Sequence, residues 1–381
     1  MKTKPMTKFA ILALSLVLVA CAGGGSEEAG CPAIDGREIN VVATTPMIGE
    51  FVSQVGGENI NLTVLMPPEA NPHTYEPAPQ DAGTIAEADL VFYTGLLYEP
   101  AALVKLLENS ACSTDILSEV GESVFPIEFK EDGHDDHDDH DDHDDEKDHD
   151  DEEGHDDHDD EEGHDDHDDE EGHDDHDDEE GHDDEEGHDD HDDEEGHDDH
   201  EGHNHGAYDP HFWFDPSRVA YAAEYIESRL IQFDPENESS YKSSADSFVS
   251  ELNDLTKQVS ELISTVPSQN RKLITTHESL GYLEAKFGLE VLSTIIPSLN
   301  SANEISPSDL AGVIDVIEDN NVKVIFIESE APSVYSETIV AETGIKPVTG
   351  LYVETLKPGQ SYSEFLISNV KLITENLQDT D

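Results

Sequence analysis

Three histidines are the residues of this sequence best suited to bind one metal ion in a folded site. Of the chain's 21 histidines, 18 lie between residues 131 and 205, and the remaining three are His73, His211 and His277. Each of these three stands at the end of an apolar, strand-like run. Three neutral imidazoles, joined by one carboxylate, form a ligand set that suits a borderline divalent cation such as Zn²⁺.

The tract from residue 131 to residue 205 predicts a second, looser kind of metal binding. It repeats Gly-His-Asp-Asp-His-Asp-Asp-Glu-Glu with small variations and contains no apolar side chain. A segment of such low hydrophobicity and high charge is expected to be disordered. Histidines recurring every few residues among carboxylates indicate weak, exchanging sites, although a solvated loop without a specific task is the alternative. Accessory capture of metal is predicted at histidines that include His134, His137, His140, His143, His200, His203 and His205.

The acidic composition argues against nucleic acid or anionic lipid headgroups as partners. The formal net charge is −74, and the tract alone holds 47 of the 92 acidic residues and a single lysine. The rest of the chain still carries 45 acidic residues against 17 basic ones. A negative protein repels polyanions and attracts cations, so a cationic ligand fits this charge, as would a salty habitat.

The first 20 residues are typical of a secretory signal peptide. Three lysines precede an apolar core over residues 9–20 that is too short to span a bilayer. The core ends in Leu18-Val19-Ala20-Cys21, which resembles the lipobox of bacterial lipoproteins, where the cysteine is lipidated. We therefore expect an exported protein that is periplasmic or anchored through lipid at Cys21 to the outer face of the cytoplasmic membrane. An ordinary signal peptide with an incidental cysteine is the alternative.

Two further cysteines, Cys31 and Cys112, are candidates for a disulfide. An oxidising compartment outside the cytoplasm favours such a bond. The bond also needs the two Cα atoms to lie close together, which sequence spacing does not reveal. The bonded and the free states therefore stay equally open at this point.

Alternating strands and helices predict two α/β lobes with mainly parallel sheets. The strand-like runs are residues 38–45, 59–66, 89–94, 271–276, 289–295, 322–328 and 346–352. The helical runs are residues 47–55, 79–88, 216–232, 278–287, 308–320, 334–343 and 361–377. Ligands of such sheets bind in loops beyond the carboxyl ends of the strands, which is where His73 falls.

A single long helix is predicted between the two lobes. Its apolar residues recur at alternating spacings of four and three and form one face; they are Tyr241, Ala245, Phe248, Leu252, Leu255, Val259 and Leu262. About 30 residues at about 1.5 Å each would make this helix about 45 Å long. The predicted order is a signal peptide (1–20), a tether (21–36), an N-terminal lobe (37–234) with the insertion 131–205, a linker helix (235–266) and a C-terminal lobe (267–381).

Three motifs resemble, in order and spacing, those of the zinc/manganese solute-binding proteins of ABC importers. They are Asn71-Pro72-His73-Thr74-Tyr75-Glu76, Asp209-Pro210-His211-Phe212-Trp213-Phe214-Asp215-Pro216 and Thr276-His277-Glu278-Ser279-Leu280-Gly281-Tyr282. The resemblance covers residues from about 38 to 378, including a histidine-rich loop before the second motif. It implies two lobes joined by one rigid helix, with the metal in the cleft between them. It further implies a monomeric extracytoplasmic receptor, not an enzyme, that delivers its ion to an ABC permease.

The resemblance also implies a fourth ligand, and this chain departs from the family there. The family usually has an aspartate in a Leu-Tyr-x-Asp-Ser-Leu-like segment, whereas this chain has Leu351-Tyr352-Val353-Glu354-Thr355-Leu356. The implied ligands are therefore His73, His211, His277 and Glu354, with Glu76 and Glu278 as acidic alternatives. Because glutamate has one more methylene group than aspartate, its reach and its number of metal bonds can differ.

Zinc is the predicted cargo, and three other functions stay open. A receptor for manganese or iron would favour more oxygen ligands than three histidines leave room for. A zinc hydrolase needs an open coordination position, whereas a carboxylate is expected to fill the fourth one, and the sequence has no His-Glu-x-x-His helix. A surface adhesin or metal buffer without a transport role is the third alternative.

Overall fold

The computed structural model describes residues 31, 34, 36–129, 208–296, 306–330 and 334–378 of the 381-residue chain. The predicted signal peptide, the lipidation site at Cys21 and the histidine-rich tract lie outside these residues. Within the described part of the chain, no helix combines the length and the apolar character that crossing a membrane requires.

Four parallel strands form the sheet of the N-terminal lobe. They are β1 (Ile39–Ala43), β2 (Ile60–Val64), β3 (Leu90–Tyr93) and β4 (Leu117–Glu119). The helices of this lobe are α1 (Pro46–Gly56), α2 (Pro79–Ala86) and α3 (Ala101–Ser110). The strand order is β2-β1-β3-β4, and the central strand β1 is almost entirely apolar and buried. Parallel strands covered by helices favour such continuous apolar runs.

Two helices follow the insertion and connect the lobes. They are α4 (Pro216–Phe233) and α5 (Glu238–Ser264). The 27 residues of α5 make it about 40 Å long. One face of α5 packs against α1 and α4, and the same helix also contacts the C-terminal lobe. Its apolar side chains belong to one hydrophobic core that continues from the first lobe into the second.

The buried face of α5 ends on Ile263, not on Leu262 as the sequence spacing predicts. Alternating spacings of four and three correspond to a period of 3.5 residues, whereas a straight helix has 3.6. Over six steps from Tyr241 this difference adds up to more than half a residue. The inward-facing position has therefore moved by one residue in the last turn.

The C-terminal lobe repeats the strand arrangement of the first. Its strands are β5 (Lys272–Thr275), β6 (Glu290–Thr294), β7 (Val324–Glu328) and β8 (Lys346–Leu351). Its helices are α6 (Gly281–Phe287), α7 (Pro307–Asp319), α8 (Val334–Thr343) and α9 (Tyr362–Gln378), and α9 packs against α5. The order β6-β5-β7-β8 is again second, first, third and fourth strand along the chain, and all neighbours are parallel. The predicted α/β class with two mainly parallel sheets is confirmed.

A disulfide ties the segment before β1 to the N-terminal lobe. It joins Cys31 to Cys112, whose Cα atoms lie 5.1 Å apart. Cys112 follows α3 and precedes β4 in the chain. The bond thus lies near the amino ends of the parallel strands.

Candidate metal centre

The four ligands that the sequence implies come together in space. Their ligand atoms all lie within 4.8 Å of one another; they belong to His73, His211, His277 and Glu354. Oε1 of Glu354 lies 3.1, 3.4 and 2.8 Å from Nε2 of His73, His211 and His277, respectively. In a tetrahedral zinc site with bonds of about 2.0–2.1 Å, neighbouring ligand atoms are about 3.3 Å apart. The three distances from the carboxylate oxygen to the nitrogens are therefore close to those around one small four-coordinate ion.

His73 is positioned by a short turn after β2. Pro72–Thr74 form a 3₁₀ turn, and the side chain of Asn71 caps it by accepting a hydrogen bond of 2.9 Å from the backbone N–H of His73. The backbone around His73 is thereby fixed, but no described carboxylate holds the Nδ1 atom of its ring. Nδ1 of His73 is buried and has no hydrogen-bond partner among the described residues.

His211 is held by the aspartate two residues before it. Oδ1 of Asp209 accepts a hydrogen bond of 2.8 Å from the backbone N–H of His211 and lies 2.7 Å from its Nδ1. The buried turn Phe212–Phe214 and helix α4, which Asp215 caps, follow directly and hold this segment in the core.

The second lobe meets the first at the same aspartate. The hydroxyl of Tyr282 donates a hydrogen bond of 2.9 Å to the backbone oxygen of Asp209. A Cβ atom added at Gly281 would lie only 2.7 Å from Oδ2 of Asp209. Any residue other than glycine would therefore force the side chain of Asp209 or the backbone of residue 281 to move. The Gly281-Tyr282 pair of the third motif therefore serves the contact between lobes.

His277 is fixed by two strand ends. It follows β5 after one residue, and Glu328 is the last residue of the neighbouring strand β7. The carboxylate of Glu328 contacts Nδ1 of His277 and accepts a hydrogen bond of 3.2 Å from its backbone N–H. The backbone N–H of Glu328 in turn donates a bond of 3.0 Å to the hydroxyl of Thr276.

These contacts direct the Nε2 atoms of His211 and His277 toward a shared ion. A carboxylate that accepts the proton on Nδ1 leaves Nε2 as the nitrogen for a metal bond and makes it a better donor. Nε2 of both rings is buried without a well-aligned hydrogen bond among the described residues. Buried polar atoms are rarely left without a partner, so a cation at the centre would satisfy them.

Glu354 follows β8 and is completely buried. The hydroxyl of Tyr98 lies 2.9 Å from its Oε2, and the indole N–H of Trp213 donates a bond of 2.8 Å to the backbone oxygen of Val353. Burial alone would raise the pKa of the Glu354 carboxyl, but the charges of His73 and His211 hold it well below its usual value. The glutamate is therefore a carboxylate.

His211 and His277, whose Nδ1 atoms contact carboxylates, each carry a second ring proton when no cation is present. Burial would lower the pKa of His211, but the charge of Glu354 and the bond to Asp209 outweigh it and raise that pKa to about 9. Burial opposes protonation of His277 as well, but Glu328 and Glu354 raise its pKa well above the usual value. A metal ion must displace these protons in order to bind.

The acidic alternatives and the aromatic residues lie outside the ligand cluster. Glu76 is exposed and Glu278 is half-buried, and neither contributes a ligand atom to it. The ring of Trp213 packs edge-on against the ring of His211 at 5.4 Å. Trp213 thus supports a ligand and does not replace one.

Three supporting residues were missed by the sequence reasoning. Asp209 lies inside the second motif, so its position two residues before His211 was an available signal. Glu328 ends a buried apolar strand, where an acidic residue is unusual, and this too was readable. Tyr98 lies in the loop after β3, and nothing in the local sequence distinguishes it from an ordinary core tyrosine.

Comparison with known proteins shows the family of this chain. The sequence profile of the family described as zinc-uptake complex component A, periplasmic, matches residues 41–376. The manganese ABC transporter substrate-binding lipoprotein PsaA of Streptococcus mitis is 23% identical over 382 residues, which cover 97% of this chain and 98% of that protein. The manganese-binding lipoprotein MntA of Halalkalibacterium halodurans is 20% identical, with 95% of this chain and 94% of that protein covered.

Solved structures show the same fold. The periplasmic zinc-binding protein TroA from Treponema pallidum superposes with a TM-score of 0.63 at 18% identity, covering 89% of this chain and 99% of that one. The Fe(III)-bound YtgA from Chlamydia trachomatis gives a TM-score of 0.64 at 22% identity, covering 89% and 98%. This chain belongs to the family of the periplasmic component A of zinc-uptake complexes, and it is a metal-binding receptor of an ABC transporter that works with a membrane permease.

Proposed function

We propose that this receptor carries Zn²⁺ and delivers it to the permease of a high-affinity importer. The observation that carries the proposal is the donor set, three imidazole nitrogens and one carboxylate oxygen that all lie within 4.8 Å of one another. Zinc accepts four such ligands at bond lengths of about 2.0–2.2 Å. The four donors would enclose one ion stripped of its water.

A receptor for manganese or iron is the second candidate. It is favoured by the names of relatives, since the proteins from Streptococcus mitis and Halalkalibacterium halodurans are named for manganese and one structural neighbour holds Fe(III). Mn²⁺ prefers more ligands and more oxygen among them than this cluster offers. The donor chemistry of this chain therefore supports zinc over manganese.

Release of the ion is proposed to require contact with the permease. One apolar core runs from α1 and α4 through α5 to α9, so wide hinge motion between the lobes would break buried packing. Close-packed interiors resist such deformation. We expect the structures with and without zinc to differ little in lobe orientation, and a wide opening between them would contradict this mechanism.

Three further proposals concern residues outside those the structure describes. Cys21 would carry the lipid that holds a monomeric receptor at the outer face of the membrane. The histidine-rich tract would collect zinc near the receptor. Its capacity should increase above a pH of about 6.5, where imidazole loses its proton and becomes a ligand.

The proposal is tested by offering zinc and manganese together to the full chain. A chelator buffer keeps both free ions too scarce for loose sites, and native mass spectrometry counts the bound metal. One zinc per chain is expected, retained in His140→Ala, which alters only the tract, and lost in His211→Ala. A manganese-loaded chain would refute the zinc assignment. Equal zinc in His211→Ala and the unchanged chain would refute the four-ligand site.

A further inference from the structure

We infer that Tyr98 sets the metal preference of this site, because its hydroxyl occupies one oxygen of Glu354 and leaves that carboxylate a single metal bond. This inference deepens the proposed zinc function and rests on it. It assigns a role to a residue outside the four ligands and outside the three motifs.

The two oxygens of Glu354 face different neighbours. Oε1 lies 2.8–3.4 Å from the three Nε2 atoms of the histidines. Oε2 lies 2.9 Å from the hydroxyl of Tyr98. The carboxylate is thus divided into one oxygen that faces the metal position and one that accepts a hydrogen bond.

The hydroxyl of Tyr98 has few other options. It has one proton, and its two neighbouring acceptors are Oε2 of Glu354 at 2.9 Å and the backbone oxygen of the same residue at 3.2 Å. The charged oxygen is the stronger acceptor of the two. Edge-on packing of the ring against His73 at 5.0 Å and Trp213 at 5.3 Å keeps the buried side chain in this orientation.

The division of the carboxylate matters for the choice of ion. Three imidazoles and one carboxylate oxygen give the four bonds of a tetrahedral zinc site. If both oxygens of Glu354 were available, the site would offer five bonds and more oxygen, which favours manganese. Glutamate is longer than the aspartate usual in the family, so it can turn either oxygen toward the ion unless another group holds one of them.

A purely structural role for Tyr98 makes a different prediction. Tyr98 belongs to the N-terminal lobe and Glu354 to the C-terminal lobe, so their hydrogen bond also joins the lobes. Loss of such a bridge would weaken the binding of every ion by a similar factor. The ratio of zinc to manganese affinity is therefore the informative measurement.

The test is Tyr98→Phe in the full chain, because phenylalanine keeps the ring packing and removes only the hydroxyl. Affinities for zinc and for manganese are measured by competition with a chelator that outcompetes loose sites. X-ray absorption of the singly loaded chain gives the number of bound atoms. Tyr241→Phe is the matched control, since Tyr241 is also buried and donates to a carboxylate, that of Asp234, at 2.6 Å.

In Tyr98→Phe we expect the zinc-to-manganese affinity ratio to fall about tenfold, the effect of one hydrogen bond to a charged group. The manganese-loaded variant should gain one oxygen neighbour, and Tyr241→Phe should keep the original ratio. Two outcomes would overturn this inference and leave the proposed function intact. One is an unchanged zinc-to-manganese affinity ratio in Tyr98→Phe. The other is a Glu354 carboxylate that binds the metal through both oxygens in the chain with its natural sequence. If the unchanged chain shows no tight zinc that His211→Ala removes, the proposed function fails first, and the inference with it.

Discussion

The two lobes share one strand order, but His277 of the C-terminal lobe and His73 of the N-terminal lobe are held in different ways. In the C-terminal lobe, His277 stands two positions after β5, and Glu328 at the end of the adjacent β7 holds its ring. In the N-terminal lobe, His73 follows β2 by nine positions and lies in a loop. Only the backbone of His73 is capped, and its Nδ1 has no partner among the described residues.

This difference separates a ligand fixed in advance from one that adapts. Side chains on strand ends inherit the precision of the sheet, whereas loop residues depend on local contacts. Glu328 holds both the backbone N–H and the ring of His277 before any ion is present. His73 is oriented by its backbone, by ring packing against Tyr98 and by the 3.1 Å contact of its Nε2 with Oε1 of Glu354, but no described group holds its Nδ1. We therefore expect His73 to be the ligand that adjusts when the ion enters and leaves.

The largest decrease in zinc affinity should come from removing a ligand. The decrease should be greater for His277, at the end of a strand, than for His73, in a loop. His277→Ala should lower zinc affinity by more than about a hundredfold, beyond the range for supporting residues. It also leaves Oε2 of the buried Glu328 carboxylate without the imidazole that it contacts, which is costly. His73→Ala should cost about a hundredfold, since a water molecule can enter from the loop. Chelator competition measures both, and equal losses would remove the distinction between the lobes.

A change of pH should act through the carboxylate-bonded histidine of each lobe. The pKa of His211 is raised to about 9 and that of His277 also lies well above normal, so zinc must displace their protons. Each displaced proton raises zinc affinity about tenfold between pH 7 and pH 8, so displacement of two protons predicts a rise of about a hundredfold. The folding stability of the metal-free protein changes with pH in the opposite direction to zinc affinity. Protonation of His211 stabilises the metal-free protein. This contribution is fully present below a pH of about 6.5 and is lost as the pH rises through about 9.

Calorimetry in buffers of different ionisation enthalpy counts the protons released per zinc. His211→Gln serves as the control, because it keeps all histidines of the tract and removes one of the two raised pKa values. Without metal, the Tm of the chain with its natural sequence should decrease from pH 6.5 to pH 9. The Tm of His211→Gln should decrease less over the same range. Identical pH profiles for both chains would show that His211 binds no extra proton.

Removal of the charge behind His277 should produce a smaller loss. Glu328→Gln keeps an oxygen that can accept from Nδ1 but removes the negative charge that makes the imidazole a better ligand. Zinc affinity is expected to fall about tenfold, the lower end for residues that orient a ligand. Asp209→Asn makes the same change behind His211 in the other lobe. Glu290→Gln, an exposed change on β6 of the same sheet, should leave affinity unaltered, and a similar loss there would point to a general charge effect.

The sequence predicted the ligand elements better than it predicted their supports. Alternating apolar runs located the strands of both lobes except β4, which has only three residues. Helix α3 was missed together with β4, although Leu103, Leu106 and Leu107 have helical spacing. Helix α6 begins at Gly281 and not at the predicted residue 278. Ser279 instead donates a hydrogen bond of 3.3 Å to Glu328, so this segment remains a loop.

The partners of the ligands depend on which strands are neighbours. Glu328 meets His277 only because β7 lies beside β5, although the two residues are 51 positions apart in the chain. Tyr98 meets Glu354 only because the lobes close on each other, over a separation of 256 positions. Local periodicity contains neither relation. A motif can therefore identify a ligand, while the residue that tunes this ligand becomes visible only in three dimensions.

The smallest effect on zinc affinity is expected from a bond that only the N-terminal lobe possesses. Cys31 and Cys112 join positions 81 apart, and loss of such a bond typically costs about 2–4 kcal/mol of folding free energy. Cys112→Ser should therefore lower the denaturant midpoint of unfolding. Zinc affinity should stay the same, because the disulfide lies toward the amino ends of the strands and the metal centre lies beyond their carboxyl ends. Cys31→Ser should have the same effect, and the double variant no more than either, since all three remove one bond. A loss of zinc affinity in Cys112→Ser would instead mean that the adaptable His73 loop depends on this distant bond, and that the sheet of the N-terminal lobe transmits strain along its strands.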